Sequence, residues 1–147
     1  MFTDREIEKI SEYQLSVEAL PSDLICRING VDLSWRDEIP MLDYSRSLFL
    51  ALTALSPENP IEQFVSPELI PWTYVRLGGG DLVTVSRQGV EASATCPRRA
   101  LISASALLGI KSYELFSSRY PAIKSNAIFK DWFPLAEMLL HAALRAN

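Results

Sequence analysis

Residues 72–96 alternate between apolar and polar side chains and are broken twice by glycine, at Gly78-Gly79-Gly80 and at Gln88-Gly89. Strand side chains point alternately to opposite faces, so this pattern predicts three short strands over 72–77, 82–87 and 90–96. With the three glycines as the whole first loop, Leu77 faces Asp81, Val75 faces Val83 and Thr73 faces Val85. With Gln88-Gly89 as a two-residue turn, Arg87 faces Val90, Val85 faces Ala92 and Val83 faces Ala94. One face then collects Thr73, Val75, Leu77, Val83, Val85, Val90, Ala92, Ala94 and Cys96. The other carries Thr84, Ser86, Glu91, Ser93 and Thr95, with Trp72, Tyr74 and Leu82 as apolar exceptions. A slip of one residue would exchange the faces and bury Glu91. The pattern therefore specifies an amphipathic antiparallel meander.

A second β unit precedes it. Asn29-Gly30 favours the positive φ angles of a type I′ turn, and the register it sets pairs Ile28 with Val31, Cys26 with Leu33 and Leu24 with Trp35. All six fall on one face, with Arg27 and Asp32 on the other. Tyr13, Leu15, Val17 and Ala19 alternate with polar residues and predict a half-buried strand before it. Leu20-Pro21-Ser22-Asp23 reads as a turn. Both units are expected to join one sheet.

The remaining segments read as helices. Thr3 and Glu6 form a capping box, with Phe2 set to pack on Ile7, so a short helix is expected from Asp4 to about Ser11. Residues 41–55 place Leu42, Ser45, Leu48, Phe49, Leu52 and Leu55 on one stripe, with Asp43, Arg46 and Thr53 on the polar side. Residues 56–71 hold four prolines and form the main connection, with room for a helical turn at Ser66-Pro67-Glu68. After Pro97, Leu101, Ala104, Leu107 and Leu108 give an inner stripe that Gly109 would cap. A second piece runs over 110–120. A last helix over 131–145 would bury Leu135, Met138, Leu139, Ala142 and Ala143. These elements imply an α+β domain over 1–147, with a mainly antiparallel sheet of about six strands packed against three to five helices.

At 147 residues the chain can bury an ordinary core, and its hydrophobic content of 48% argues for a folded protein. Its net charge of -4 opposes non-specific nucleic-acid binding. Met1 to Ile10 is charged and lacks the apolar run of a signal peptide. No stretch approaches the ~20 apolar residues of a membrane span, so a cytoplasmic location is expected.

The residues that carry chemistry are sparse. His141 is the one histidine, and Cys26 and Cys96 read as buried thiols on apolar strand faces. No CxxC or HExxH pattern points to zinc, and no cofactor is expected. Gly78-Gly79-Gly80-Asp81 lies between strands, without the lysine of a phosphate loop, and reads as a hairpin tip. A nucleophile would have to pair His141 with Ser103, Ser105 or Cys96, which nothing in the spacing favours. Arg98-Arg99 is the one adjacent basic pair, well short of a nucleic-acid footprint. Recognition remains. Trp35, Trp72, Tyr74 and Trp132 are candidate anchors or core residues, and Tyr74 stands out because its register puts it on the polar face.

In overall form the chain resembles the small, acidic, single-domain α+β proteins that bacteria encode as immunity partners of polymorphic toxins. The resemblance lies in size, charge and style over the whole length, and it rests on no motif and assigns no residue a role. It implies a protein-interaction module that neutralises a toxin by binding and carries no catalytic chemistry. An acidic surface would then meet a basic toxin, with Glu12, Asp37, Glu38, Asp43, Tyr74 and Glu91 as candidate interface residues. A small-ligand binder or enzyme with a pocket between sheet and helices is the alternative, and a structural homo-oligomer the third.

Overall fold

The computed structural model describes residues 2–64 and 73–146. It opens with two short helices, α1 (Asp4–Glu8) and α2 (Glu12–Val17). A long hairpin follows, made of β1 (Pro21–Leu24), β2 (Arg27–Ile28), β3 (Val31–Asp32) and β4 (Trp35–Pro40). Helix α3 (Met41–Ala54) leads to a four-stranded antiparallel sheet in the order β5 (Ile61–Phe64), β6 (Thr73–Leu77), β7 (Leu82–Arg87), β8 (Ala94–Pro97). The chain finishes with α4 (Arg98–Arg119), a 3-10 turn (Pro121–Ser125), α5 (Ala127–Trp132) and α6 (Leu135–Ala146). The fold is α+β.

The Thr3 and Glu6 capping box forms, and Ser11 with Gln14 repeats it one helix later. That second box overturns the strand expected over 13–19. Ser11 Oγ accepts from Gln14 N at 3.2 Å while Gln14 Oε1 accepts from Ser11 N at 3.1 Å, so the residues with alternating polarity wind into α2. The segment taken for a turn is extended as β1, where Pro21 pairs with Pro40.

The turn at Asn29-Gly30 forms as expected, with φ of 48° and 82°. Ile28 pairs with Val31 and Leu24 with Trp35. The six apolar residues of the hairpin face inward, while Arg27 and Asp32 are exposed and ion-paired at 3.5 Å. Asp32 also accepts from Ser34 N at 2.9 Å, and the hydroxyl and then the backbone N–H of Ser34 hold its carboxyl below its ordinary value, with Arg27 adding to it. Glu6 is lowered in the same way by the backbone and hydroxyl of Thr3. A depressed carboxyl contributes stability above its unfolded pKa and loses it as pH falls through the lower native value. Urea unfolding should therefore show Asp32→Asn destabilising the protein at pH 7, with the difference from wild type shrinking as pH falls through the lowered native pKa of Asp32.

The hairpin does not share a ladder with the meander: among the described residues the strands fall into separate sheets. Side chains bridge them instead. Asn29 Nδ2 donates to Thr95 O at 2.5 Å, and an Arg87 guanidinium nitrogen donates to Ser34 O at 2.5 Å.

The meander keeps its expected faces with a different register. Leu77 pairs with Val83, Val75 with Val85, and Val85 with Ala94. Each connection takes more residues than a minimal turn and each register moves by two, which preserves the side-chain parity. Val75, Val83, Val85 and Ala94 are buried, and Glu91 stays exposed in the loop. Strand β5 adds a fourth member within the proline-rich connection, where no strand was expected. Trp72 and the helical turn expected at Ser66-Pro67-Glu68 lie outside the described residues.

Arg87 also faces inward and is buried. Its guanidinium lies 5.1 Å from the Trp35 ring, and its Nε and Nη1 have no hydrogen-bond partner among the described residues. The Tyr44 ring of α3 is partly exposed but its hydroxyl end is enclosed beneath the sheet, where burial drives its pKa far up and Thr73 hydrogen-bonds it. Burial likewise raises the Cys26 and Cys96 thiols, both free and half-buried.

Helix α4 is the axis of the helical layer, with α3 along one side and α6 along another. It runs unbroken through Gly109, which is not a cap. A Cβ built at Gly109 would lie 2.6 Å from Met138 Sδ and 2.8 Å from Met138 Cε. The glycine therefore serves the close crossing of α4 and α6. With two neighbours to face, α4 buries small residues, Ser103, Ser105, Ala106, Gly109 and Ser112, while Ala104 and Leu107 of the expected inner stripe are exposed. One hydrophobic core runs from Ile7 to Met138.

Candidate functional site

Helix α6 begins after Pro134, whose carbonyl accepts from Met138 N at 3.2 Å. Its sequence is apolar nearly all round, broken by Glu137, His141 and Arg145. Such a helix is normally covered on every side. Among the described residues only one side is covered. Met138 is fully buried, and Leu135 and Ala142 are half-buried against the core. Leu139, Leu140 and Leu144 are 49%, 60% and 63% exposed, and Ala136 and Ala143 lie on the same outward side. Leu139 and Ala143 were expected inside. Packing α6 tightly at Gly109 turns Met138 to the core and so fixes these residues outward.

Concave surface flanks the ridge at both ends. Beside its first turn a groove of about 500 Å³ runs between α5 and α6. Tyr113, Phe129, Phe133, Leu135 and Leu139 line it, with Lys130, Asp131 and Glu137 also contributing. An aromatic cluster lies beneath: Tyr113 stacks on Phe129 at 5.2 Å, and Phe129 on Phe133 at 5.9 Å. Asn126 fixes α5, accepting from Phe129 N at 3.0 Å while donating to Glu8 O at 3.3 Å.

Beside its last turn lies a cleft where α6 ends against the start of α4. One part, of about 460 Å³, is lined by Asp81, Arg98, Arg99, Ile102, Ser103, His141, Leu144 and Arg145. An adjoining part of about 480 Å³ shares Asp81, Arg99, Ser103 and Arg145. Arg98 is a structural tie, donating Nε–H to Leu52 O at 3.1 Å and approaching Asp81 at 3.8 Å. Arg99 and Arg145 are exposed and have no carboxylate partner among the described residues. His141 is half-buried, with its ring edge-on to Phe49 at 5.4 Å.

The residues singled out from the sequence are not brought together. Glu12 is exposed on α2, Tyr74 is half-buried on the outer sheet face beside Ser86, and Glu91 is exposed after β7. Asp43 is buried in α3 and so is withdrawn from the surface. The side chains of Asp37 and Glu38 lie outside the described residues. Trp132 is buried, with Arg46 4.6 Å from its ring, which makes it core and not an anchor. Among the described residues no cluster of histidine, cysteine and acidic side chains could hold a metal, and no helix is long and apolar enough to cross a membrane. A further cavity of about 520 Å³ lies between α1, α2 and the end of α4, lined by Phe2, Glu6, Glu18, Arg119 and Tyr120 among others.

Sequence reasoning missed the outward leucines and the meeting of Arg99 with Arg145. The first left a signal, since α6 carries more apolar residues than one buried stripe needs. The second left only the Arg98-Arg99 pair, because its other half lies more than forty residues away in sequence. No family model, curated protein or solved structure matches the chain.

Proposed function

We propose that this protein is a protein-interaction module, and that its partner docks along the outer face of α6. The observation that carries this reading is the ridge of Leu139, Leu140 and Leu144, 49–63% exposed on a helix of largely apolar sequence. The groove at one end would take an apolar or aromatic anchor. The arginine cleft at the other would take an anionic group. The partner is thus a protein that presents an apolar side chain and, about one α6 length away, an acidic group.

A second copy of the chain fits less well. The three leucines offer on the order of 200 Å² of apolar area by the usual transfer relation. A stable pair needs about 800 Å² per partner, which a larger protein reaching across groove, ridge and cleft can supply. In its specific form the reading is that of an immunity protein, holding a bacterial toxin inactive in the cytoplasm by occluding it. The contact would then be made by a basic, leucine-rich face instead of the acidic surface that the net charge of -4 suggests.

Co-expression with the product of the adjacent gene tests this. The expected result is a complex that stays together in gel filtration and a toxin that no longer arrests growth. Elution of the chain alone, or as a dimer of itself in sedimentation, would contradict it.

A further inference from the structure

We infer that the cleft between the start of α4 and the end of α6 binds a phosphate monoester. The inference extends the reading above at its arginine end, and its test needs no protein partner. Pro97 occupies the N-cap of α4 and supplies no side-chain acceptor, so the first-turn N–H groups of this 22-residue helix lack an intrahelical partner. Ser103 is 2% exposed, lines both parts of the cleft, and has no hydrogen-bond partner among the described residues. Its hydroxyl opens onto the cleft, where an oxyanion would accept from it. Arg99 and Arg145 reach the same space from two different helices and stand free of carboxylates among the described residues.

Charge selects the ligand. The guanidiniums of Arg98, Arg99 and Arg145 face the single carboxylate of Asp81, leaving two positive charges uncompensated. A carboxylate or sulfate ester offsets one of them. A phosphate monoester carries nearly two negative charges and three acceptor oxygens, and arginine pairs with it through two parallel hydrogen bonds. The cleft is also larger than a phosphate, and Ile102 and Leu144 give it an apolar wall for the organic part of the ester.

The test is a titration at pH 8 with phenyl phosphate and phenyl sulfate, followed by backbone amide resonances. The amides of Arg98, Arg99, Ala100 and Ser103 should shift saturably with the phosphate. The sulfate, alike in shape but with one charge, should bind about tenfold more weakly, and Arg99→Gln or Arg145→Gln should each weaken the phosphate about tenfold. Leu140→Asp, which strikes the docking ridge, should leave phosphate affinity unchanged, so failure of the docking reading and failure of this one are separable. A phosphoserine peptide run in parallel distinguishes a free ester from a phosphorylated partner side chain by which binds tighter. Absence of saturable shifts at these amides, or shifts that survive both arginine substitutions, would overturn the inference.

Discussion

Gly109→Leu should destabilise the protein by about 3 kcal/mol or more, because it drives side-chain volume into the tight crossing of α4 and α6. A single added carbon would already sit 2.6 Å from Met138 Sδ and 3.6 Å from Phe133 Cζ. Gly109→Ala is a milder case. The obstruction is the flexible end of Met138, and alanine gains about 1 kcal/mol of helix propensity over glycine, so its net effect should fall within about 1 kcal/mol of zero. For a domain of this size the leucine variant should lose roughly 6–12 °C in Tm. Shortening the obstacle, as in Gly109→Leu with Met138→Ala, should recover part of the loss. Unchanged melting in Gly109→Leu would mean that α4 and α6 are not held this close, and the outward position of the leucines would lose its cause.

The double substitution Leu140→Asp with Leu144→Asp should have the opposite profile. Both side chains are more than half exposed in the free chain, and such surface changes typically stay within about 0.5 kcal/mol each. Melting should therefore be nearly unchanged and solubility should rise. Partner binding should fall by a hundredfold or more. Burying the exposed parts of two leucines contributes on the order of 3 kcal/mol, and an aspartate buried in their place adds an unpaired charge. Calorimetric titration with the partner measures the affinity, and thermal unfolding of the same samples shows that the fold is intact. A variant that melts normally and binds as tightly as wild type would remove the ridge from the interface.

The parts of this fold that the sequence made legible are those in which local chemistry and burial agree. At Asn29-Gly30 the turn residues and the six apolar residues around them ask for the same register, and that register forms. Residues 13–19 show the converse. Their alternation suggests a strand, but a capping box that starts two residues upstream, at Ser11, decides for a helix, since satisfying two backbone N–H groups outweighs a period read over seven residues. The meander kept its faces and changed its loops, because parity is set by burial whereas loop length is set by where the neighbouring strands lie.

The surface proposed for docking was harder to read for the same kind of reason. A glycine in a helix reads locally as a cap, and only the position of Met138 reveals it as a point of close approach. Arginines read as solvent-exposed charges, yet Arg46, Arg87 and Arg98 each donate to a backbone carbonyl on a distant element, at Trp132, Ser34 and Leu52. Net charge pointed to an acidic interface, although its candidate residues lie on separate elements and Asp43 is buried.

If the protein docks a partner as proposed, two faces compete for that role: the outer side of α6, and the outer side of the sheet around Tyr74, Ile61 and Leu82. Hydrogen exchange on the free chain and on the purified complex separates them in one experiment. Protection gained over residues 135–145 and 98–103, with the amides of β6 and β7 unchanged, is the result expected for docking on α6. Protection gained across β5, β6 and β7, with α6 exchanging as it does in the free chain, would contradict it.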